Sequence, residues 1–491
     1  MSSPFAICPS LFQPAIAQDG ILTRIRIPGG QLTVLQCEAI AQAADQIGDG
    51  RIQITNRANV QIRGLQAGID PQTLHRFQTS GLAAPIAAVD AIRNIMASPT
   101  AGIDRQQLLD TRPLVAAWNR YLMSKPDLAT LSPKFSVCFD GGEAVAVRDR
   151  PNDISLVAVP TAAGVKFRLR LSLGDRGAAP ADVGVFIHPD TSLQVLAVLT
   201  DIYRDYVTQS DSQKARKPRL RELLHTRGVE IYLQTAAPHL PFPLERCDVT
   251  VDGSSPDTYH HLGVHPQRQP EQYYIGVVIP LGRLTTAQWR GLAALATAQG
   301  SGTLRLTPWQ TVLLTDIPAA HVVSVQREIV QLGLHWAATH PLSAIVACSG
   351  TTGCKASATD TQTHALALAA YLDHHITLDR PINIHFSGCR KSCAQYHASD
   401  ITLLGMPTAQ ETYRIYVGDV GAKFGRELGQ PCPVAQLPHV IEQIIRTYQQ
   451  QRSQPDEPFK DFVNRDGLAE LTHRFGISQP ANWTQEDPPC Q

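Results

Sequence analysis

IPGGQLTVLQCEAIAQAADQIGDGRIQITNRANVQI, residues 27–62, reappears as IPLGRLTTAQWRGLAALATAQGSGTLRLTPWQTVLL, residues 279–314, with no gap and an offset of 252. Pro28 matches Pro280, Gly30 matches Gly282, Leu32 and Thr33 match Leu284 and Thr285, Gln36 matches Gln288, and Thr55 and Val60 match Thr307 and Val312. Each copy reads as strand, glycine turn, amphipathic helix and strand. The alternation of TRIRI or YIGVVI precedes the turn, Thr33 or Thr285 stands as N-cap, and RIQIT or TLRLT alternates after the helix. So long a period indicates gene duplication with pseudo-two-fold packing, not a stack of short repeats.

A weaker pair follows each copy. KFSVCFDGG, DISLVAV, KFRLRLSLG and a helix from about Ser192 to Thr208 resemble INIHFSGC, DITLLG, YRIYVGD and a helix from about Leu437 to Gln450, with Asp153 and Asp400 in register. Two copies of a two-module unit predict an α+β chain of mixed or antiparallel sheets with helices on one face.

The copies differ in their cysteines. Cys348 and Cys354 in CSGTTGC, and Cys389 and Cys393 in GCRKSC, occur only in the second half; in the first, Cys138 stands alone in FSVCFDGG. Four thiolates suit a [4Fe–4S] cluster, one per iron, and the glycines and serines around them let backbone amides approach cluster sulfur. Structural zinc sites use two to four residues within each pair, so the first gap argues against zinc without excluding it. Four unrelated buried thiols are the third reading.

The 491 residues are 43% hydrophobic, enough for several cores, and 43 basic residues balance 43 acidic ones. No global field attracts nucleic acid or an anionic membrane, so anionic ligands need local basic sites. The start, MSSPFAICPSLFQP, lacks the pattern of a secretory leader, and no apolar run reaches the roughly 20 residues of a spanning helix. A reducing cytoplasm is expected, with cysteines as ligands or core residues.

Divergent copies predict a cleft, one half supplying metal and the other charge. Arg57 and Arg63 in ITNRANVQIRG, Arg93 in AIRNIM, and Lys214, Arg216, Lys217, Arg219 and Arg221 in KARKPRLR are the candidates. Converging arginine forks suit a polycarboxylate such as a tetrapyrrole, though a run like KARKPRLR also reads as a solvated face. His385, His397 and Trp309 read as hydrogen-bonded or core residues first.

From DGILTRIRIPGG to PFKDFVNRDGL these motifs resemble the nitrite and sulfite reductase superfamily. The resemblance implies paired ferredoxin-like half-domains at 1–85 and 265–335, a cluster-free mixed-sheet domain at 86–264 and a cluster domain at 336–491, with pseudo-two-fold symmetry. It implies Cys348, Cys354, Cys389 and Cys393 as cluster ligands and Cys393 as a bridge to siroheme iron. It further implies Arg57, Lys134 and Arg216 as catalytic cations; with the basic clusters, Arg57, Arg63, Arg93, Arg216 and Lys217 are the expected cofactor contacts.

There are departures. Arg390 and Lys391 stand where the reductases have a motif like GCPNSC, Pro133 replaces an arginine in LSPKF, and Pro218 replaces a second cation after Arg216. Fewer cations disfavour reduction of a small oxyanion. Together with a CPxxxxP-like start (Cys8 to Pro14) and RLTPW at Arg305 to Trp309, they resemble the precorrin-3B synthase branch. That branch implies a monooxygenase of cobalamin synthesis acting on precorrin-3A with O2, with siroheme or a mononuclear non-haem iron. A ferredoxin or an NAD(P)H-dependent reductase would supply its electrons. A ferredoxin-dependent nitrite or sulfite reductase is the alternative, and a non-catalytic iron–sulfur carrier the third.

Overall fold

The computed structural model describes residues 9–175, 177–210, 216–249, 259–418 and 423–477. It divides into two compact units, Met1–Ala337 and Ala338–Gln491. Among the described residues no helix is long and apolar enough to cross a membrane.

Both copies of the long repeat lie in the first unit and fold alike. Strand Gly20–Ile25, turn Pro28–Gly30, strand Gln31–Thr33, helix Val34–Ile47 and strands Arg51–Ile54 and Val60–Leu65 make the first copy. Gln272–Val277, Pro280–Gly282, Arg283–Thr285, Thr286–Gln299, Thr303–Leu306 and Val312–Pro318 make the second. Thr33 Oγ1 accepts from Gln36 N at 3.3 Å while Gln36 Oε1 accepts from Thr33 N at 3.0 Å. Thr285 and Gln288 repeat this at 3.2 and 3.1 Å. Such capping boxes satisfy helix-end amides, at about 1 kcal/mol each.

The copies also exchange strands, which the sequence does not reveal. Gln31–Thr33 pairs antiparallel with Thr303–Leu306, Leu32 opposite Leu304, and Arg283–Thr285 pairs with Arg51–Ile54, Leu284 opposite Ile52. Each five-stranded sheet is thus completed by a strand from the other copy. The crossing requires glycine. At Gly30 (φ 73°) a Cβ would stand 2.7 Å from the Leu306 carbonyl oxygen, and at Gly282 (φ 70°) 3.0 Å from that of Ile54. The two helices share one apolar core, in which Trp289 Nε1 donates to the Cys37 carbonyl at 3.0 Å.

The rest of the first unit is built on a six-stranded sheet ordered Glu245–Arg246, Ala181–Ile187, Gly164–Leu171, Ile154–Thr161, Val137–Asp140, Ile95–Ala97. The last three strands run parallel and the others antiparallel. Helix Ser192–Gln209 packs Leu196, Leu199 and Tyr203 into its core.

The second unit repeats that plan with Ile345–Ala347, Ile384–Ser387, Ile401–Met406, Thr412–Val417 and Arg426–Pro433. The first three are parallel and the rest antiparallel. Helix Leu437–Gln451 ends one residue beyond its expected limit. The α+β class and mixed sheets are as expected. Parallel pairing of Ile345–Ala347 with Ile384–Ser387 has a local consequence: the loops leaving both strands emerge at the same sheet edge.

Candidate functional site

Those two loops carry the four thiols. Cys348 directly follows its strand, and its amide donates to the Phe386 carbonyl at 3.1 Å. Cys354 ends the short turn Gly350–Gly353. Cys389 and Cys393 lie past Ile384–Ser387, with Ser392 in the left-handed region (φ 55°). Gly388 N donates to Cys348 Sγ at 3.2 Å, an N–H···S contact of the kind that stabilises a thiolate. Thr361 Oγ1 and Gln362 Nε2 fix the Cys348 carbonyl at 2.9 and 2.6 Å. A Cβ on Gly388 would fall 1.7 Å from Ser357 Oγ, so glycine is what lets the two loops touch.

Cys348, Cys354 and Cys389 are half-buried and Cys393 is exposed. No group of three or more His, Cys, Asp or Glu side chains among the described residues is arranged to hold a single metal ion. Four thiols on two adjoining loops supply one thiolate for each iron of a cubane. His385 is buried and its Nε2 has no hydrogen-bond partner among the described residues. Burial, assisted by His397 and Lys423, pushes its pKa down to about 3, so the imidazole is neutral. Lys391 is exposed, and Lys423 Nζ donates to the Arg390 carbonyl at 2.5 Å.

The corresponding edge in the first unit carries no such thiol set. Ser98 follows strand Ile95–Ala97 as Cys348 follows Ile345–Ala347. Ser98, Thr100 and Asp104 are chained at 3.1 and 2.9 Å, and Asp104 accepts from Ala144 N. Glu143 accepts from Gly141 N at 2.7 Å, and burial together with neighbouring Asp140 pushes its carboxyl well up. Cys138 is fully buried, and desolvation pushes its thiol up.

In the first unit, Arg219 bonds the buried carboxylate of Asp153, whose charge also acts on Arg57. Arg57 follows strand Arg51–Ile54 in a turn held by Thr55 Oγ1, and donates to the Pro151 carbonyl at 2.7 Å and Asn152 Oδ1 at 2.6 Å. Burial pulls its pKa below the ordinary arginine value, opposed by Asp153. Arg219 Nη2 reaches Asp153 at 3.0 and 3.1 Å and the Lys134 carbonyl at 3.3 Å. Lys134 is exposed. Lys217 Nζ donates to the Ala129 and Leu131 carbonyls at 2.9 and 3.2 Å, and burial lowers its pKa.

The other expected site cations lie elsewhere. Arg216 is exposed and paired with Glu222 at 2.6 Å. Arg63 forks onto Asp19 at 2.7 and 2.8 Å. Arg93 bonds Asp90 at 2.9 Å and Asn119 at 3.0 Å. Lys214 and Cys8 lie outside the described residues. Arg219 is one of the candidates in the basic run, with no role of its own assigned from the sequence, and Asp153 stands in the repeat without a charge partner to mark it. Trp309 stacks on His261, ring centroids 4.6 Å apart, and the Arg150 guanidinium carbon lies over the Trp309 ring, 4.4 Å from its centroid.

A duplicated α+β scaffold with four thiols at one sheet edge and cations beside the buried Asp153 is the arrangement to set against known proteins. The sequence profile described as the nitrite/sulfite reductase ferredoxin-like half domain matches residues 16–68 and 265–332. The profile of the nitrite and sulphite reductase 4Fe-4S domain matches 88–244 and 340–480. The chain belongs to the nitrite and sulfite reductase family, and a [4Fe–4S] cluster and siroheme are the cofactors that go with it.

The ferredoxin–nitrite reductase of Synechococcus elongatus is 30% identical over 454 residues, covering 89% of this chain and 87% of that protein. The ferredoxin–nitrite reductase of Leptolyngbya laminosa is 29% identical, covering 88% and 87%. The assimilatory ferredoxin-dependent nitrite reductase of Haloferax mediterranei is 25% identical, covering 93% and 84%. The solved structure of Mycobacterium tuberculosis NirA superposes with a TM-score of 0.76 at 24% identity, covering 92% of this chain and 84% of that one, which shows a shared fold.

These relatives correct the corrinoid reading. Proteins matched along nearly the whole chain are named nitrite reductases, so hydroxylation of precorrin-3A with O2 does not stand, nor does the mononuclear iron considered with it. The error came from counting cations by single positions. Pro218 removes one, but Arg219 beside it places a guanidinium on Asp153 near Arg57. The Pro133 carbonyl accepts from Asn94 at 3.1 Å, and Lys134 next to it is exposed.

Proposed function

We propose that this protein is a ferredoxin-dependent nitrite reductase that takes nitrite to ammonium. The observation that carries this reading is the whole-length likeness to ferredoxin–nitrite reductases, 30% identical over 89% of the chain. Nitrite, eight protons and six electrons give ammonium and two waters; both N–O bonds break and four N–H bonds form. Reduced ferredoxin is the electron source, named for the relatives and taken over here as part of the proposal.

Cys348, Cys354, Cys389 and Cys393 hold the cluster, which with siroheme supplies electrons one at a time. The protein's own part is charge and protons. Arg57, charged at neutral pH, attracts and orients a small oxyanion, and its bonds to Pro151 and Asn152 fix the guanidinium in advance. Arg219 supplies a second positive charge, held on Asp153. Lys134 and Lys217 are the proton-bearing groups; burial lowers the Lys217 pKa and makes its proton easier to give.

Purified holoprotein with reduced ferredoxin, or with a dithionite-reduced viologen, should consume nitrite and release ammonium in equal amounts. A fully loaded protein that reduces neither nitrite nor sulfite would overturn the reading. A higher kcat/KM for sulfite would overturn its nitrite part.

A further inference from the structure

The helix that follows the first cysteine pair, Thr361–His375, carries a titratable side chain that the chemistry above does not use. His364 is only 11% exposed. Its Nδ1 lies 2.9 Å from the Tyr413 hydroxyl and its Nε2 lies 3.2 Å from Glu411 Oε2. Glu411, 45% exposed, opens the chain of bonds to water. All three residues belong to the second unit.

The chain is anchored on the loop of Cys348 from two sides. Thr361, at the start of the helix, donates Oγ1 to the Cys348 carbonyl at 2.9 Å and stands 3.5 Å from Cys348 Sγ. Asp360, the N-cap, accepts from Thr363 N at 3.3 Å and gives its own amide to Glu411 Oε1 at 2.8 Å. One carboxylate therefore holds the helix start with one oxygen and faces His364 with the other. On the second side, buried Tyr413 sits edge-on to Phe386, ring centroids 5.5 Å apart, and the Phe386 carbonyl accepts from the Cys348 amide. The charge of Cys348 acts on the Tyr413 phenol.

The groups facing His364 favour a positive charge there. Asp360 and Glu411 are carboxylates, and neither is ion-paired with lysine or arginine among the described residues. Burial keeps the Tyr413 phenol protonated, and it pushes the thiol of Cys432, opposite Tyr413 in the sheet, up to about 11. The bonds also suit both charge states. In the neutral ring Nε2–H donates to Glu411 and Nδ1 accepts from the Tyr413 O–H; in the imidazolium both nitrogens donate and the hydroxyl turns its hydrogen away. Only hydrogens move.

We propose that His364 takes up a proton when the cluster accepts an electron, which makes it a positioning residue for electron delivery. One electron comes from reduced ferredoxin, or from dithionite in vitro, and one proton comes from water; the second N–H bond of the imidazole forms. The proposal rests on the cluster and not on nitrite as the substrate. Thr361 is 3.5 Å from Cys348 Sγ, and His364 is one helical turn further, where neighbouring side chains are separated by roughly 5–6 Å. Unit charges about 10 Å apart at the effective dielectric of a protein change each other's affinity for a proton or an electron about tenfold. For a one-electron couple that factor corresponds to about 59 mV.

The test is a potentiometric titration of the purified holoprotein without nitrite, following the EPR signal of the reduced cluster between about pH 5.5 and 9. The midpoint potential should fall by about 59 mV in total as pH rises and His364 loses its proton. His364→Gln, which keeps a polar side chain that takes up no proton, should leave less than half of that fall. Glu411→Gln, which removes the anion beside the imidazole and keeps the histidine, should move the inflection to lower pH. A parent potential independent of pH would overturn the proposal, and so would a fall of equal size in parent and His364→Gln. A lowered iron content in His364→Gln with the parent's pH dependence would mark a purely structural histidine and overturn it too. If His364→Gln holds no cluster, an inflection unmoved in Glu411→Gln is decisive against it. A protein that fails to reduce nitrite still gives this result, so the two readings fail separately.

Discussion

Gly388→Ala should disable the cluster loops with the smallest possible change. The new methyl carbon would fall 1.7 Å from Ser357 Oγ, 2.8 Å from its Cβ and 3.2 Å from its Cα. Rotating the serine relieves only the first overlap, and it breaks the bond from Ser357 Oγ to the Thr359 carbonyl at 2.9 Å, worth roughly 0.5–1.5 kcal/mol. The remaining overlaps involve Cβ and backbone, and overpacking of this sort costs about 1–3 kcal/mol. The total of roughly 1.5–4.5 kcal/mol must be relieved by spreading the loops, which are tied by Ala358 N to the Gly388 carbonyl at 2.8 Å and by Gly388 N to Cys348 Sγ. Iron and labile sulfide per chain after anaerobic reconstitution should fall below half of the parent value. Gly388→Ala with Ser357→Gly, which removes the two nearest atoms, should recover most of it. Parent-level iron in the single variant, or no recovery in the double, would refute the reasoning.

Arg57→Ala should lower kcat/KM for nitrite at least tenfold while leaving the iron content unchanged, measured by viologen-linked nitrite loss and iron assay. Trp289→Phe should cost about 1–3 kcal/mol in urea unfolding, since it removes the donor to a buried carbonyl between the two repeat helices. His385 gives an acid limit to the second unit. It is neutral in the fold with a pKa near 3, whereas the unfolded chain takes up the proton below about 6.5, so stability is full above that and declines as pH falls toward 3. The loss is about 2 kcal/mol at pH 5, and His385→Asn should remove that dependence; equal slopes in parent and variant would disprove it.

What the sequence made legible was whatever repeats or has local period. Thr33 and Thr285 were readable as caps because the box Thr-x-x-Gln is local, and the helices from Ser192 and Leu437 ended within a residue of expectation. The strand exchange was not legible. Gln31–Thr33 and Arg283–Thr285 are three residues each, too short for a pattern, and only the glycines before them hint at a close crossing. Side-chain direction was the other loss. KARKPRLR offers several cations, and spacing cannot show that Arg216 turns to Glu222 while Arg219 turns to Asp153. Arg63 meets Asp19 across 44 positions, with nothing local to announce it, although Asp90 three residues before Arg93 was a readable partner. The corrinoid reading leaned on cations missing at Pro133 and Pro218, and an absence at one position says little when the next residue points into the same space.

The exchanged strands make the first unit a dimer written into one chain. The first half-domain cannot close its sheet until Arg283–Thr285 has joined Arg51–Ile54, so the earliest-made half waits on the ribosome with an open edge for well over 200 residues of synthesis. A fragment ending before the second copy would keep that unpaired edge and find its complement in another fragment, reassembling between molecules the symmetry that duplication had fused within one.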